Sequence, residues 1–204
     1  MKKYDAIIIG AGPMGIFTAY ELMLKAPEMK VLLIDKGNDI SHRNCPILAK
    51  KIKESQMIFI PGGFSGGDEP DGSGKFITAF FRNKAIKENV SDLLDVRKGL
   101  MGGICNGFQA LIKLGLVPYG KVTEMTETSP TLTFNNISRH VSTVVDVRVA
   151  SNLSPWLSAC QVGDVYKVAV SHGEGKIVAP AKELELMKKN GQIATQYADL
   201  SGNA

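Results

Sequence analysis

Residues 100–115, LMGGICNGFQALIKLG, decide how this chain is read. A short apolar run ends at a single cysteine. Immediately after it begins a segment whose apolar residues recur at helical spacing, with Gly115 as its stop. A strand that bends sharply into a helix at a cysteine is a nucleophile elbow. The bend holds the side chain up at the C-terminal edge of a sheet, and the helix N-terminus stabilises negative charge on the sulfur. Cys105 is therefore the candidate nucleophile, set against the plainer reading of a buried structural thiol. A cysteine nucleophile works with a neighbouring base, and the chain holds three histidines, His42, His140 and His172.

Upstream of the elbow the pattern alternates between strands and helices. YDAIII (4–9), KVLLID (30–35) and QMIFI (56–60) are continuous apolar runs, as expected of strands covered on both faces. GAGPMG leads from the first of them into IFTAYELMLKA, at helical spacing until Pro27, so residues 4–35 form a βαβ unit with a right-handed crossover. CPILAKKIKES, with Pro46 in its first turn, FITAFFRN and AIKENVSDLLDV also read as helices. Between them PGGFSGGDEPDGSGKF is a loop. It is not a phosphate-binding P-loop, because position 69 is Glu and Phe76 replaces the hydroxyl residue. Beyond about residue 117 PTLTFNN, STVVDVRVA and VYKVAVSH are β-rich, which predicts a mixed or antiparallel extension of the sheet. PAKELELMKKNG is a late helix and QIATQYAD a final strand. The fold class is α/β: a mostly parallel sheet with helices on both faces and a β-rich extension in the C-terminal half.

Gly10, Gly12 and Gly15 form G-x-G-x-x-G between the first strand and its helix, and Asp35 ends the next strand. In dinucleotide binding the three glycines permit the tight turn, the approach of the pyrophosphate and close helix–sheet packing, while the acid accepts from ribose hydroxyls. The alternative is a βαβ scaffold with no ligand. Other chemistries find little support. A net charge of +4 with scattered lysines offers no nucleic-acid groove or polybasic membrane patch. Three dispersed cysteines, Cys45, Cys105 and Cys160, with no C-x-x-C pair, supply neither a disulfide framework nor a zinc site, and no metal is expected. Asp5 and GAGP interrupt what would otherwise begin like a signal peptide, and no run approaches a membrane span, so a reducing cytoplasmic setting is expected.

Two resemblances divide the chain at 47/48, into 1–47 and 48–204, with both parts expected to pack as one domain. Residues 1–47, including HRNCP, resemble the N-terminus of a family of FAD-dependent dehydrogenases, which implies FAD as the ligand of Gly10, Gly12, Gly15 and Asp35. From about residue 48, LAKKIKESQMIFIPGGFSGGDEPDGSGKF, GICNGFQALIKLGLVPYG, TLTFNNISRHVS, SNLSPWL and VSHGEGK resemble the glutamine amidotransferase domain of phosphoribosylformylglycinamidine synthase. That resemblance implies a flavodoxin-like class I amidotransferase fold and glutamine as substrate. It also implies an ATP-dependent synthetase domain or subunit that consumes the ammonia for purine biosynthesis. A thiolate at Cys105 would attack the side-chain amide of glutamine, with N–H donors from Asn106 and from the loop around Gly63 and Phe64 holding the oxyanion. No cofactor is required for that step.

The same resemblance places His172 on the glutamine side of the domain, and His140, in a β-rich region, is expected to serve structure. The resemblance assigns the catalytic base and acid to an H-x-E type motif near the family's C-terminus, whereas the family-like text here ends at YADLSGN. Little or no glutaminase activity is therefore expected. Gly102 stands where the family has a larger apolar residue, so a loosened strand is expected before the elbow. Residues 4–35 are expected to occupy places in the amidotransferase sheet in an order like 2-1-3-4, with marginal stability at the seam. Two further readings stay open: a dinucleotide-binding module without catalysis, and a non-functional hybrid.

Overall fold

Two of the long apolar runs, YDAIII and QMIFI, form the central strands of a sheet, while KVLLID forms a half-buried edge strand in place of the doubly covered one expected. The structure is a computed structural model, which describes residues 4–9, 13–34, 45–63, 74–199 and 201–203. Its contacts divide the chain into Met1–Met125 and Thr126–Ala204. In the first unit the order is β1 (Tyr4–Ile9), α1 (Pro13–Lys25), β2 (Val31–Ile34), α2 (Cys45–Lys53), β3 (Ser55–Ile60), α3 (Lys75–Phe81) and α4 (Lys84–Ser91). A π turn (Asp92–Val96), β4 (Leu100–Gly103), α5 (Asn106–Lys113) and α6 (Leu116–Tyr119) complete it. The four strands are parallel, in the order β2-β1-β3-β4. This is the expected order, and β1 joins β3 directly, so strands from both sides of the 47/48 junction, which itself falls in α2, share a single sheet.

Register explains why β1 and β3 read as unbroken apolar text. Ile7 pairs with Leu32 and Ile58, and Ile58 with Met101, so these side chains share one face of the sheet. On that face they join a core with Ile52 of α2, Phe81 of α3, Ile86 and Val90 of α4 and Leu111 of α5. Ala6 and Ile8 point the other way and are also fully buried. A strand covered on both faces has no solvent side on which to place polar residues. Helix α1 carries more apolar surface than its contact with the sheet uses. Ile16, Phe17, Tyr20, Met23 and Leu24 form a stripe at helical spacing, and each is more than half exposed.

Arg97 ties the π turn to the sheet. Its Nε donates to Asp92 Oδ2 at 2.7 Å, Nη2 to the Ile52 carbonyl at 3.2 Å, and Nη1 to the Ser55 carbonyl. These carbonyls lie at the end of α2 and the start of β3, where backbone acceptors lack intrahelical partners. Ser55 Oγ donates to the Lys51 carbonyl of the same turn at 2.8 Å.

The second unit is β-rich and antiparallel, as expected, but it does not extend the first sheet. Its strands form sheets of their own: β5 (Thr131–Thr133) pairs with β8 (Lys176–Val178), and β6 (Val141–Val149) lies between β7 (Val165–His172) and β9 (Thr195–Ala198). All these pairings are antiparallel. The physical reason is that β6 spends both of its hydrogen-bonding edges on β7 and β9. Helix α7 (Ala181–Lys189) forms where the periodicity predicts it. The short elements β8 and α6 were not expected from the sequence.

Removing the Arg97 clamp is expected to be costly, since the Ile52 and Ser55 carbonyls would lose a charged donor. Arg97→Ala should destabilise the protein by about 2 kcal/mol in urea unfolding, and Arg97→Lys should recover only part of that, because an ammonium cannot reach three acceptors in fixed geometry. An unchanged midpoint for Arg97→Ala would refute the assignment.

Candidate active site at the Cys105 elbow

Cys105 occupies the one-residue bend between Ile104 and α5, with φ 53° and ψ −124°. A side chain at positive φ is sterically disfavoured, so the surrounding backbone must hold it there. Three hydrogen bonds do so: Ile104 N–H to the Ile60 carbonyl at 3.1 Å, Gly107 N–H to the Ile104 carbonyl at 2.9 Å, and Gln109 N–H to the Cys105 carbonyl at 3.0 Å. The result is an exposed thiol at the N-terminal end of α5 and at the C-terminal edge of the parallel sheet.

Close approach makes the bend possible. A methyl group on Gly107 would collide with the Ile60 carbonyl oxygen, so α5 rests directly on the backbone leaving β3. A methyl on Gly62 would collide with Cys105 Cβ and lie 3.0 Å from its Sγ, so the loop after β3 lies against the sulfur. Asn106, only 4% exposed, donates from Nδ2 to the Gly63 carbonyl at 2.9 Å and fastens that loop to the start of α5. Gly63 has φ 145°, in the region that favours glycine. Gly62 and Gly107 were missed in the sequence reading. For Gly107 the available signal was the spacing Gly103-x-Cys105-x-Gly107, glycines two residues either side of the cysteine. Gly102 pairs with Phe59 in unbroken register, so β4 is not opened at that position.

Of the remaining sequence candidates, Phe64, Gly10, Gly12, Asp35 and His42 lie outside the described residues, and Gly15 lies within α1. The two described histidines belong to the second unit. His140 Nε2 lies 2.8 Å from Ser171 Oγ, and His172 Nδ1 lies 2.9 Å from Asn135 Oδ1. The other described free thiol, Cys160, is engaged by Tyr166, whose hydroxyl also donates to Asp164 Oδ2 at 3.0 Å. Hydrogen bonding to Cys160, then to Asp164, pushes the Tyr166 phenol up to about 12. Among the described residues no three His, Cys, Asp or Glu side chains gather as a metal site, and no helix is long and apolar enough to cross a membrane.

A strand–cysteine–helix elbow on a 2-1-3-4 parallel sheet defines the class of the protein. Residues 30–204 match the family model of the CobB/CobQ-like glutamine amidotransferase domain, and the chain belongs to that family. Among curated proteins it is 33% identical over 153 residues to phosphoribosylformylglycinamidine synthase subunit PurQ of Chlorobaculum tepidum, covering 75% of this chain and 58% of that protein. To the same subunit of Methanococcus maripaludis it is 35% identical over 169 residues, covering 81% and 58%. The chain thus spans about three fifths of the length of these relatives. The fold is similar to that in a structure of PurLQS from Thermotoga maritima, with TM-score 0.62 and 22% identity, covering 100% of this chain and 78% of that one.

The family match begins at residue 30, upstream of the 48 suggested by the motifs, so β2 and Asp35 lie inside it. The G-x-G-x-x-G segment precedes the match, and nothing in these comparisons supports the FAD-dependent dehydrogenase resemblance of residues 1–47.

Gly62→Ala tests the contact beneath the sulfur. It should leave the far-UV spectrum unchanged while slowing alkylation of Cys105 by iodoacetamide about tenfold or more, since displacement of a reacting group on the ångström scale has costs of that order. Equal rates for the two proteins would show that the loop does not position the thiol.

Proposed function

We propose that this chain carries the glutamine-reactive part of an amidotransferase of the phosphoribosylformylglycinamidine synthase type. The observation that carries the reading is Cys105, held at φ 53° above the N-terminal end of α5 with Gly62 against its sulfur. In the proposed step Sγ attacks the side-chain amide carbon of glutamine and a C–S bond forms. The carbonyl oxygen becomes an oxyanion, received by the backbone N–H of Asn106 and by the loop around Gly63 and Phe64. Collapse breaks the C–N bond, ammonia leaves with an added proton, and water cleaves the thioester to give glutamate. The ammonia would pass to an ATP-dependent synthetase partner, and no cofactor takes part in these steps.

Proton transfer limits the rate in this proposal. Both described imidazoles are engaged within the second unit, His140 with Ser171 and His172 with Asn135. A cysteine hydrolase without a positioned base loses about two to four orders of magnitude in rate. The chain is therefore expected to form a covalent adduct at Cys105 more readily than it turns over.

Two measurements on the purified chain test this. A glutamine-like electrophile such as 6-diazo-5-oxo-norleucine should label Cys105 and leave Cys160 unmodified, by peptide mass spectrometry. Ammonia release from glutamine should be barely above that of Cys105→Ala. Absence of any Cys105 adduct would refute the nucleophile assignment, and rapid Cys105-dependent ammonia release would refute the slow-turnover assignment.

FAD as the ligand of residues 10–35, through Gly10, Gly12, Gly15 and Asp35, is a separate proposal, supported only by the parallel β1–α1–β2 geometry around the glycine fingerprint. Co-purifying flavin absorbance would support it, and a colourless protein that does not quench added FAD fluorescence would dismiss it.

A further inference from the structure

Helix α1 has two apolar faces, and the sheet accounts for one of them. The half-buried residues Thr18, Ala19 and Leu22 mark the side that packs against β1 and β2. On the opposite side Ile16, Phe17, Tyr20, Met23 and Leu24 are 55% to 61% exposed. At 3.6 residues per turn these five span about 120° of the helix circumference, an unbroken apolar stripe. Glu21 is the one charged residue between Ile16 and Leu24. It pairs with Lys25 at 3.3 Å, one turn further on, along the border of the stripe rather than across it. A helix that exposes this much contiguous apolar surface is built to be covered. It precedes residue 30, where the family match begins, so the stripe lies outside the part of the chain that defines the family.

Two features of the stripe select a second copy of the same chain as its cover. The first is symmetry. The apolar positions stand at −4, −3, 0, +3 and +4 about Tyr20. Reversing the helix about a twofold axis through Tyr20 therefore sets every apolar position against another. Ile16 meets Leu24 of the second copy, Phe17 meets Met23, and Tyr20 meets Tyr20. An isologous interface requires this self-complementarity, in which residue i contacts j and j contacts i. The pairs match chemically as well, aliphatic with aliphatic and aromatic ring with thioether.

The second feature is area. A large apolar side chain presents on the order of 200 Å², so five of them, each a little over half exposed, offer about 550 Å². Two copies then bury about 1,100 Å² through these side chains alone, the size at which specific interfaces begin.

We propose that α1 is a homodimerisation helix: two copies of the chain pair antiparallel through Ile16, Phe17, Tyr20, Met23 and Leu24, with the twofold axis at Tyr20. The Glu21–Lys25 pair lies at the rim, where it stays solvated. An interface near the lower size limit corresponds to micromolar self-association. The proposal involves neither Cys105 nor a ligand, so it fails separately from the function proposed above.

Sedimentation equilibrium of the full chain tests it. The unaltered protein should pass from monomer to dimer between about 1 and 100 μM, the range expected for an interface of that size. Phe17→Glu should raise the dissociation constant about a hundredfold or more, because each dimer would bury two unpaired carboxylates. Met23→Lys should do the same through two unpaired ammonium groups. The decisive sample is an equimolar mixture of the two variants. The antiparallel arrangement there sets the Phe17→Glu carboxylate against the Met23→Lys ammonium and leaves the other Phe17–Met23 contact unaltered. Dimer should return, with a dissociation constant about tenfold or more below that of either variant alone.

Both positions are exposed in the single chain, so far-UV spectra of the variants should be unchanged. Should either variant fail to fold, Tyr20→Ala, which adds no charge, should still weaken the dimer about tenfold. A chain that stays monomeric to about 200 μM overturns the proposal and leaves the stripe to a different protein. A dimer indifferent to these substitutions overturns it as well, since another surface would then hold the copies together. A mixture that recovers no dimer overturns the antiparallel pairing about Tyr20.

Discussion

The contact between Gly107 and the Ile60 carbonyl governs the elbow. Because Gly107 has no side chain, α5 can begin directly against the backbone that leaves β3. Ile104 can then donate to that same carbonyl, and the chain must reverse within the single residue between them. Cys105 takes the resulting positive φ. The cost of a non-glycine residue there, of order 1–3 kcal/mol, is met by the packing of Leu111 and Leu114 into the core. The position of the sulfur is thus a consequence of how closely a helix can approach a sheet.

The same sheet explains how two differently patterned segments of sequence share one unit. β1 hydrogen-bonds to β2 on one side and β3 on the other, and its Ile7 lies between Leu32 and Ile58. Parallel strands from any βαβ unit offer the same evenly spaced ladder, so β1 can pair wherever its side chains fill the two faces. Its side chains do so at Ala6, Ile7 and Ile8. The fit is less complete in the layer outside. Helix α1 leaves Ile16, Phe17, Tyr20, Met23 and Leu24 largely in water. A helix with apolar residues on more than one face is suited to burial on more than one face.

Much of this was readable in the amino-acid sequence, and the reasons differ by element. β1 and β3 were legible because central, doubly covered strands need continuous apolar text, and the elbow because an apolar run meets a helical period at one cysteine. The separate sheets of the second unit were not, since alternation in STVVDVRVA gives a strand but not the partners that use its two edges. β8 is too short to have a period. The Arg97 clamp depends on carbonyls more than forty residues away in the chain. Gly62 and the Asn135–His172 pair are likewise tertiary facts: one requires knowing what a methyl group would strike, the other which atoms an amide faces.

The proposed role of Cys105 is to be acylated by glutamine, with the substrate's oxyanion received by the Asn106 N–H and by the loop around Gly63 and Phe64. A crystal structure of the chain after reaction with a glutamine-like chloroketone tests it most directly. The account predicts continuous density from Cys105 Sγ, with the ligand oxygen within hydrogen-bond distance of Asn106 N–H and of a backbone N–H in that loop. An adduct whose oxygen points away from both into solvent, or density on Cys160 in place of Cys105, would contradict it.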